Sequence, residues 1–191
     1  MGAMWQDQAH QTMSAALKLP SIKDQTAFNL ERWEALAHDE QVRQWPGRVE
    51  TDRFGRTIMY HYAEFSHGGK QVDIAFHLRR LMPGGKVNVE CPISTSDGVK
   101  VADVTWLSKT RLLKIGGKTV LKAAPEICVE VISPANTKQE IQQKKMLYFE
   151  AGAQEVWICD RKGRMFFFIA DAPDVSARVS KLCPGMPKSV E

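Results

Sequence analysis

The 191-residue sequence contains no apolar run approaching the roughly 18 to 20 residues that a membrane-spanning helix needs, so no membrane association is expected. Its four cysteines, Cys91, Cys128, Cys159 and Cys183, show neither CxxC nor Cys/His ligand spacing, which argues against a zinc site. The first three fall in apolar, strand-like runs, where a free cysteine behaves as a small buried hydrophobe. The first six residues have neither a basic region nor an apolar core, so no secretory signal is expected and a cytoplasmic location is the default. Internal repeats and low-complexity segments are absent. So is any helix-turn-helix or zinc module, which leaves base readout, if there is any, to loops of the same domain. Acidic residues are also missing between Asp103 and Pro125, where Lys109, Arg111, Lys114, Lys118 and Lys122 all fall. That segment is either a solvated loop or a contact surface for a phosphate backbone, because the overall charge of +4 alone does not decide the matter.

What remains is the composition of an ordinary soluble α/β domain, long enough for one substantial core. Residues 1–24 read as a loosely packed leader and residues 25–191 as a single domain. Apolar spacing of three and four predicts a helix from Thr26, with Phe28, Leu30, Trp33, Leu36 and Ala37 on its stripe. A hairpin around Phe54-Gly55 joins residues 48–52 to 56–62, and a second helix spans residues 67–82 before Pro83-Gly84-Gly85. Strands are predicted over residues 86–93, 100–106 and 126–132, then a helix over 137–151, and closing strands over 155–159 and 165–169. The helix between two strands predicts a parallel βαβ crossover there, within a mixed sheet. The tail from Pro173 is expected to wrap the surface.

Two of these strands carry an acid where an apolar residue belongs. Ile127-Cys128-Val129-Glu130-Val131-Ile132 has one carboxylate in its middle, and Val101-Ala102-Asp103-Val104 repeats the theme. Burying such a group is costly unless a cation pairs with it. The helix that follows Ser133-Pro134 opens with Thr137 and Glu140, a capping box. At 3.6 residues per turn, Ile141, Lys144, Lys145 and Tyr148 share a side, so the two lysines interrupt the stripe facing the sheet. One of them is placed to send an ammonium toward Glu130, or both snorkel to solvent; periodicity does not choose between Lys144 and Lys145.

The run from Pro125 to Pro134, followed by Glu140, Lys144, Tyr148, Ala151-Gly152 and Glu155-Val156-Trp157-Ile158-Cys159-Asp160, resembles the Uma family of restriction endonucleases. Val101-Ala102-Asp103-Val104 and Ser66-His67-Gly68 resemble further segments of that family's pattern. The likeness covers about residues 48–169 and is dense over 101–160. It departs at Ala102, Glu126 and Glu140, where the pattern has Pro, Asp and Asp.

The resemblance implies a restriction-endonuclease-like fold of the PD-(D/E)xK type, a mixed β-sheet flanked by α-helices, with the catalytic lysine moved from the strand to the next helix. That makes Asp103, Glu130 and Lys144 the catalytic candidates, since Ile132 stands where the strand lysine would be. Asp103, Glu130 and the Val131 carbonyl would hold Mg²⁺ or Mn²⁺, and Lys144 would orient or deprotonate the attacking water. Glu50 and Glu90 are candidates for an additional carboxylate. His67 is read as a helix-start residue that packs or caps, and Tyr148 as a packing residue with a hydrogen-bonded hydroxyl.

The expected function is metal-dependent hydrolysis of DNA, with duplex cutting favouring a homodimer. A catalytically silent DNA-binding protein is the first alternative, because fold does not prove activity. A structural α/β interaction module with a buried Glu130–Lys144 ion pair is the second, and it predicts that Lys144→Ala is strongly destabilising.

Overall fold

The computed structural model describes residues 24–60 and 65–191. The chain opens with α1 (Gln25–Leu36), whose first turn is capped by the Asp24 carboxylate accepting from the Ala27 amide. A short α2 (Glu40–Gln44) leads into β1 (Val49–Thr51) and β2 (Thr57–Met59), an antiparallel pair turning at Gly55 with φ of +75°. Then follow α3 (Phe65–Leu81), β3 (Gly85–Thr95), β4 (Gly98–Ser108) and α4 (Lys109–Ile115). The second half contains β5 (Ile127–Val131), α5 (Lys138–Glu150), β6 (Glu155–Cys159), β7 (Met165–Ile169) and β8 (Ala172–Ala177).

Strands β3 to β8 form one six-stranded sheet in chain order. Every pairing is antiparallel except β5 with β6, where α5 makes the crossover that the sequence predicts. The capping box at Thr137 and Glu140 is formed in both directions, and Gly152, with φ of +98°, ends the helix.

Alternation along β5 divides the core. Ile127, Val129 and Val131 pack with Ile74 and Leu78 of α3, while Cys128 packs with Tyr148 of α5. Glu130 therefore points to the α5 side. Its neighbour β4 does not keep a single alternation: Ala102 joins the α5-side core and Val104 the α3-side core. The change of face occurs at Asp103. There the β3–β4 register passes from Val89↔Val104 to Cys91↔Ala102, and Glu90, opposite Asp103, has φ of +48°. That left-handed backbone is uncommon for a residue with a side chain, and it interrupts the ladder between Glu90 and Asp103 while the register on either side stays the same.

Two expectations are corrected. The segment after Ile169 forms β8 at the edge of the sheet, a strand hidden from pattern reading because Pro173 interrupts it and most of its side chains are exposed. The tail beyond it enters the core rather than wrapping the surface, through Cys183, Met186 and Val190. It is anchored by buried Glu155, whose carboxylate accepts from Trp157 Nε1, Ser180 Oγ and the Lys181 and Leu182 amides. The leader, apart from Asp24, and residues 61–62 of the expected hairpin lie outside the described residues. Among the described residues no helix is long and apolar enough to cross a membrane.

In α1 the apolar stripe is only half buried, and the anchoring residue is Asn29. Its side-chain amide donates to Ser94 Oγ, Thr95 O and Gly98 O at 2.9, 2.9 and 3.2 Å. Asn29→Ala strands buried acceptors at the β3–β4 turn, so a loss of ~1–3 kcal/mol is expected from urea unfolding. An unchanged midpoint would show that α1 is held elsewhere.

Candidate active site

Four carboxylates that chain distance separates converge at this break in the β3–β4 ladder. Glu50 comes from β1, Glu90 from β3, Asp103 from β4 and Glu130 from β5. Glu50, Asp103 and Glu130 are almost wholly buried, whereas Glu90 is exposed. Three buried acids in one place need cations, and the fold supplies two.

Lys144 of α5 is the first. Its ammonium donates to Glu130 Oε2 at 2.8 Å, Glu50 Oε1 at 3.0 Å and Val101 O at 3.0 Å, which uses all three of its hydrogens. Lys145 diverges from it, passing over the Phe168 ring to donate to Pro173 O. The structure thus separates the two lysines that periodicity could not, and neither snorkels to solvent. The other oxygen of Glu130 accepts from Tyr148 Oη at 2.7 Å, and Glu50 accepts further from the Val101 amide and Tyr60 Oη.

Arg48, just before β1, is the second cation. Its Nη1 lies 2.6 Å from Asp103 Oδ1 and 3.8 Å from Glu90 Oε2. Asp103 Oδ1 is also approached by Gln71 Nε2 at 3.3 Å and His67 Nε2 at 3.4 Å, while Oδ2 accepts from the Val131 amide at 2.6 Å. It is the Val131 N–H, then, that meets Asp103.

Burial and pairing pull the titrations apart. Burial pushes the Glu130 carboxyl up to about 7, more than the Lys144 charge can offset. Burial opposes ionisation of Glu50 and Asp103 too, but Lys144 and Arg48 beside Glu50, and His67 and Arg48 beside Asp103, hold both below the usual carboxylate range. For Lys144 burial opposes the charge, yet Glu130 and Glu50 together raise it above the ordinary lysine value. Such a lysine is an ammonium at neutral pH, a donor rather than a base. Burial and the adjacent Glu130 push the Tyr148 hydroxyl well up, and burial and Glu50 push Tyr60 up to about 12.

His67, Glu90 and Asp103 offer potential ligand atoms that all lie within 4.8 Å of one another, a set that Glu130 does not join. Carboxylate oxygens suit Mg²⁺, and an imidazole nitrogen shifts the preference toward Mn²⁺. The Arg48 guanidinium beside two of the three shows that positive charge is favoured there, so these residues fit a divalent cation in place of it. Over this floor opens a cleft of about 510 Å³, lined by Arg48, Tyr60, His67, Glu90, Ser133 and Asn136 among others.

The basic segment is not brought to the cleft. Lys109, Arg111 and Lys114 lie on α4 and Lys118 and Lys122 in the loop after it, beyond the start of β5, while the cleft lies past its end at Ser133. Arg111 donates to the carbonyls of Ala124 and Gly152, tying the chain to the end of α5. The other four are exposed. Arg48, Gln71 and Tyr60 escaped the sequence reading altogether. A lone charged or polar residue outside a motif gives no signal, although Arg48 and Glu50 share an alternation that would point both inward.

Comparisons with known proteins identify the family and the fold. The model of the Uma2 family, described as "Putative restriction endonuclease", matches residues 39–174. A crystal structure of a "putative nuclease belonging to DUF820" from Anabaena variabilis superposes with a TM-score of 0.60 at 16% identity, over 74% of this chain and 86% of that one. No curated protein matches.

The opposed shifts set a sign for stability. Glu50 and Asp103 contribute above the ordinary carboxylate range, and that contribution is lost as pH falls through their depressed values. Glu130 does the reverse: its contribution is full below about 4.5 and is lost as pH rises through about 7. Lys144→Met removes the counter-charge from Glu50 and Glu130, with an expected loss of ~3–5 kcal/mol near neutral pH. The deficit should shrink in acid, as the carboxyls protonate. Urea unfolding across pH checks this; a pH-independent deficit would mean that packing, not charge, is what Lys144 supplies.

Proposed function

We propose that this chain, which belongs to the Uma2 family, is a metal-dependent DNA endonuclease that hydrolyses phosphodiester bonds in the cleft above Asp103. The observation that carries the reading is the buried Glu50–Lys144–Glu130 cluster beside the His67–Glu90–Asp103 set, with His67, Asp103, Glu130 and Lys144 lying in the segments that resemble the family pattern.

His67, Glu90 and Asp103 would hold the cation, with Glu130 behind them rather than a direct ligand. A bound Mg²⁺ or Mn²⁺ would acidify a coordinated water and neutralise charge on the phosphoryl oxygens. Lys144 stays charged throughout, fixing the Glu130 carboxylate and keeping it apart from Glu50. Glu130 is the acid whose proton occupancy changes in the neutral range, which suits it to receive the proton of the attacking water. Arg48 neutralises Asp103 and lines the cleft, where with a cation on Asp103 its guanidinium would be free to meet a phosphate. The remaining work in phosphoryl transfer is positioning and electrostatics.

A second reading is favoured by one observation: all the oxygens of Asp103 and Glu130 already have partners within the protein. A silent DNA-binding protein that has exchanged its metal for Arg48 would have this arrangement. Stability of Lys144 variants does not separate the two, since both bury the same ion pairs.

Three outcomes do. Plasmid nicking with Mg²⁺ or Mn²⁺ is expected from the parent and is expected to fall at least 100-fold, about 2.7 kcal/mol, in folded Asp103→Asn and Glu130→Gln. Nicking that survives both substitutions would sink the assignment. The rate should climb as pH rises through about 7, as Glu130 loses its proton; a profile flat across that region would remove Glu130 from proton transfer. Arg48→Ala should bind Mn²⁺ more tightly than the parent in a thermal-shift titration. Equal affinities would show that the guanidinium and the cation do not compete.

A further inference from the structure

Beside His67 lies a second, smaller cavity of about 100 Å³ whose polar lining is Ser66, His67, Lys70, Ser133 and Arg161. Its chemistry is opposite to that of the acidic floor. Lys70 is buried, with 8% of its surface exposed, and its only bond is to the Ser66 carbonyl at 3.2 Å. No carboxylate among the described residues pairs with it. Buried lysines without a counter-ion are rare, because desolvating an ammonium is costly.

A second orphan belongs to His67, whose residue lines both this cavity and the cleft. His67 Nδ1 is a buried side-chain polar atom with no hydrogen-bond partner, although Nε2 of the same ring faces Asp103 at 3.4 Å. Arg161, after β6, lies exposed on the rim with no ion pair among the described residues. The described span of α3 is Phe65–Leu81, and Ser66 and His67 of its N-terminal turn line the cavity. Two cations without counter-ions, the ring of His67 and the first turn of α3 therefore meet at one small polar space.

We propose that this cavity is a phosphate-binding site, formed by Lys70, Arg161, His67 and the start of α3. The volume admits a phosphate group and not a base, and a tetrahedral oxyanion offers enough acceptors for an ammonium, a guanidinium fork and helix amides together. His67 lines both this cavity and the cleft. The occupant is a backbone phosphate of the DNA strand, next to the one held over the acidic floor; this last assignment rests on the nuclease reading, whereas the affinity for phosphate does not. One imidazole ring then separates the cation set from the phosphate site, fixing the strand's register on the cleft.

The test uses the full chain without divalent metal, with Arg161→Ala as the exposed, fold-neutral variant and Lys70→Met as the buried one. Inorganic phosphate is expected to raise the melting temperature of the parent, and to do so far less in each folded variant. Fluorescence anisotropy with a duplex lacking terminal phosphates is expected to show affinity reduced several-fold in Arg161→Ala, with the log–log salt slope smaller by about one. Arg161→Lys should recover part of the loss. Phosphate stabilisation equal in the parent and Arg161→Ala, with unchanged duplex affinity, would overturn the site. A phosphate response lost in the variants with duplex affinity unaltered would keep the site and overturn the backbone assignment. Should both binding effects appear while the parent cuts nothing with Mg²⁺ or Mn²⁺, the phosphate site stands and the nuclease reading falls.

Discussion

Lys144 ties α5 to three other elements by placing one ammonium between Glu50 of β1, Glu130 of β5 and the Val101 carbonyl of β4. Remove the charge and two buried carboxylates face each other in an apolar surrounding. The β1–β2 pair forms a sheet of its own and adds no strand to the main one, so its polar contacts with β4 and α5 carry much of its attachment. Arg48 and Tyr60 belong to that small sheet's ends and reach the site only because it is docked there. The cluster is thus both the anchor of the hairpin and the floor of the cleft, and the same groups serve stability and chemistry.

Charge balance at the floor is close. Arg48 and Lys144 set two positive charges against the buried Glu50, Asp103 and Glu130, and Glu130 resolves the excess by holding its proton to about 7. Burial is the larger cause, and the charges of Asp103 and Glu50 add to it while Lys144 and Arg48 oppose it. Asp103, with a guanidinium and a backbone amide, is the acid that stays ionised. Two acids one strand apart are thereby held in different protonation states by partners that come from other parts of the chain.

Much of this was legible in the sequence, and the limit has a physical cause. The parallel β5–α5–β6 unit was readable because a capping box, a helix-period stripe and two β-branched runs are local signals. Glu130 stood out as a charge inside such a run. The meeting of Glu130 with Lys144 rather than Lys145 needed either a family resemblance or the structure, since adjacent helix positions differ by only 100° of rotation, roughly, at 3.6 residues per turn. Strand β8 was invisible because an exposed edge strand has no apolar alternation. Arg48, Gln71 and the second face of His67 were invisible for another reason: they act through tertiary approach, and nothing in their neighbourhood along the chain records it. The basic segment shows the converse, a local pattern that the topology carries to the opposite end of the sheet.

The break in alternation at Glu90 and Asp103 has a consequence for how the chain tolerates length changes. Strand β4 presents Ala102 to one core and Val104 to the other, so two short alternating runs of opposite phase meet at a single residue. Deleting one residue there would not merely shorten the strand; it would rotate one run by half a period and exchange its inner and outer side chains. Insertions at the exposed loops leave both phases intact. The acid that the cleft depends on therefore sits at the phase boundary of its strand, where substitution is a chemical question and a change of length is a topological one.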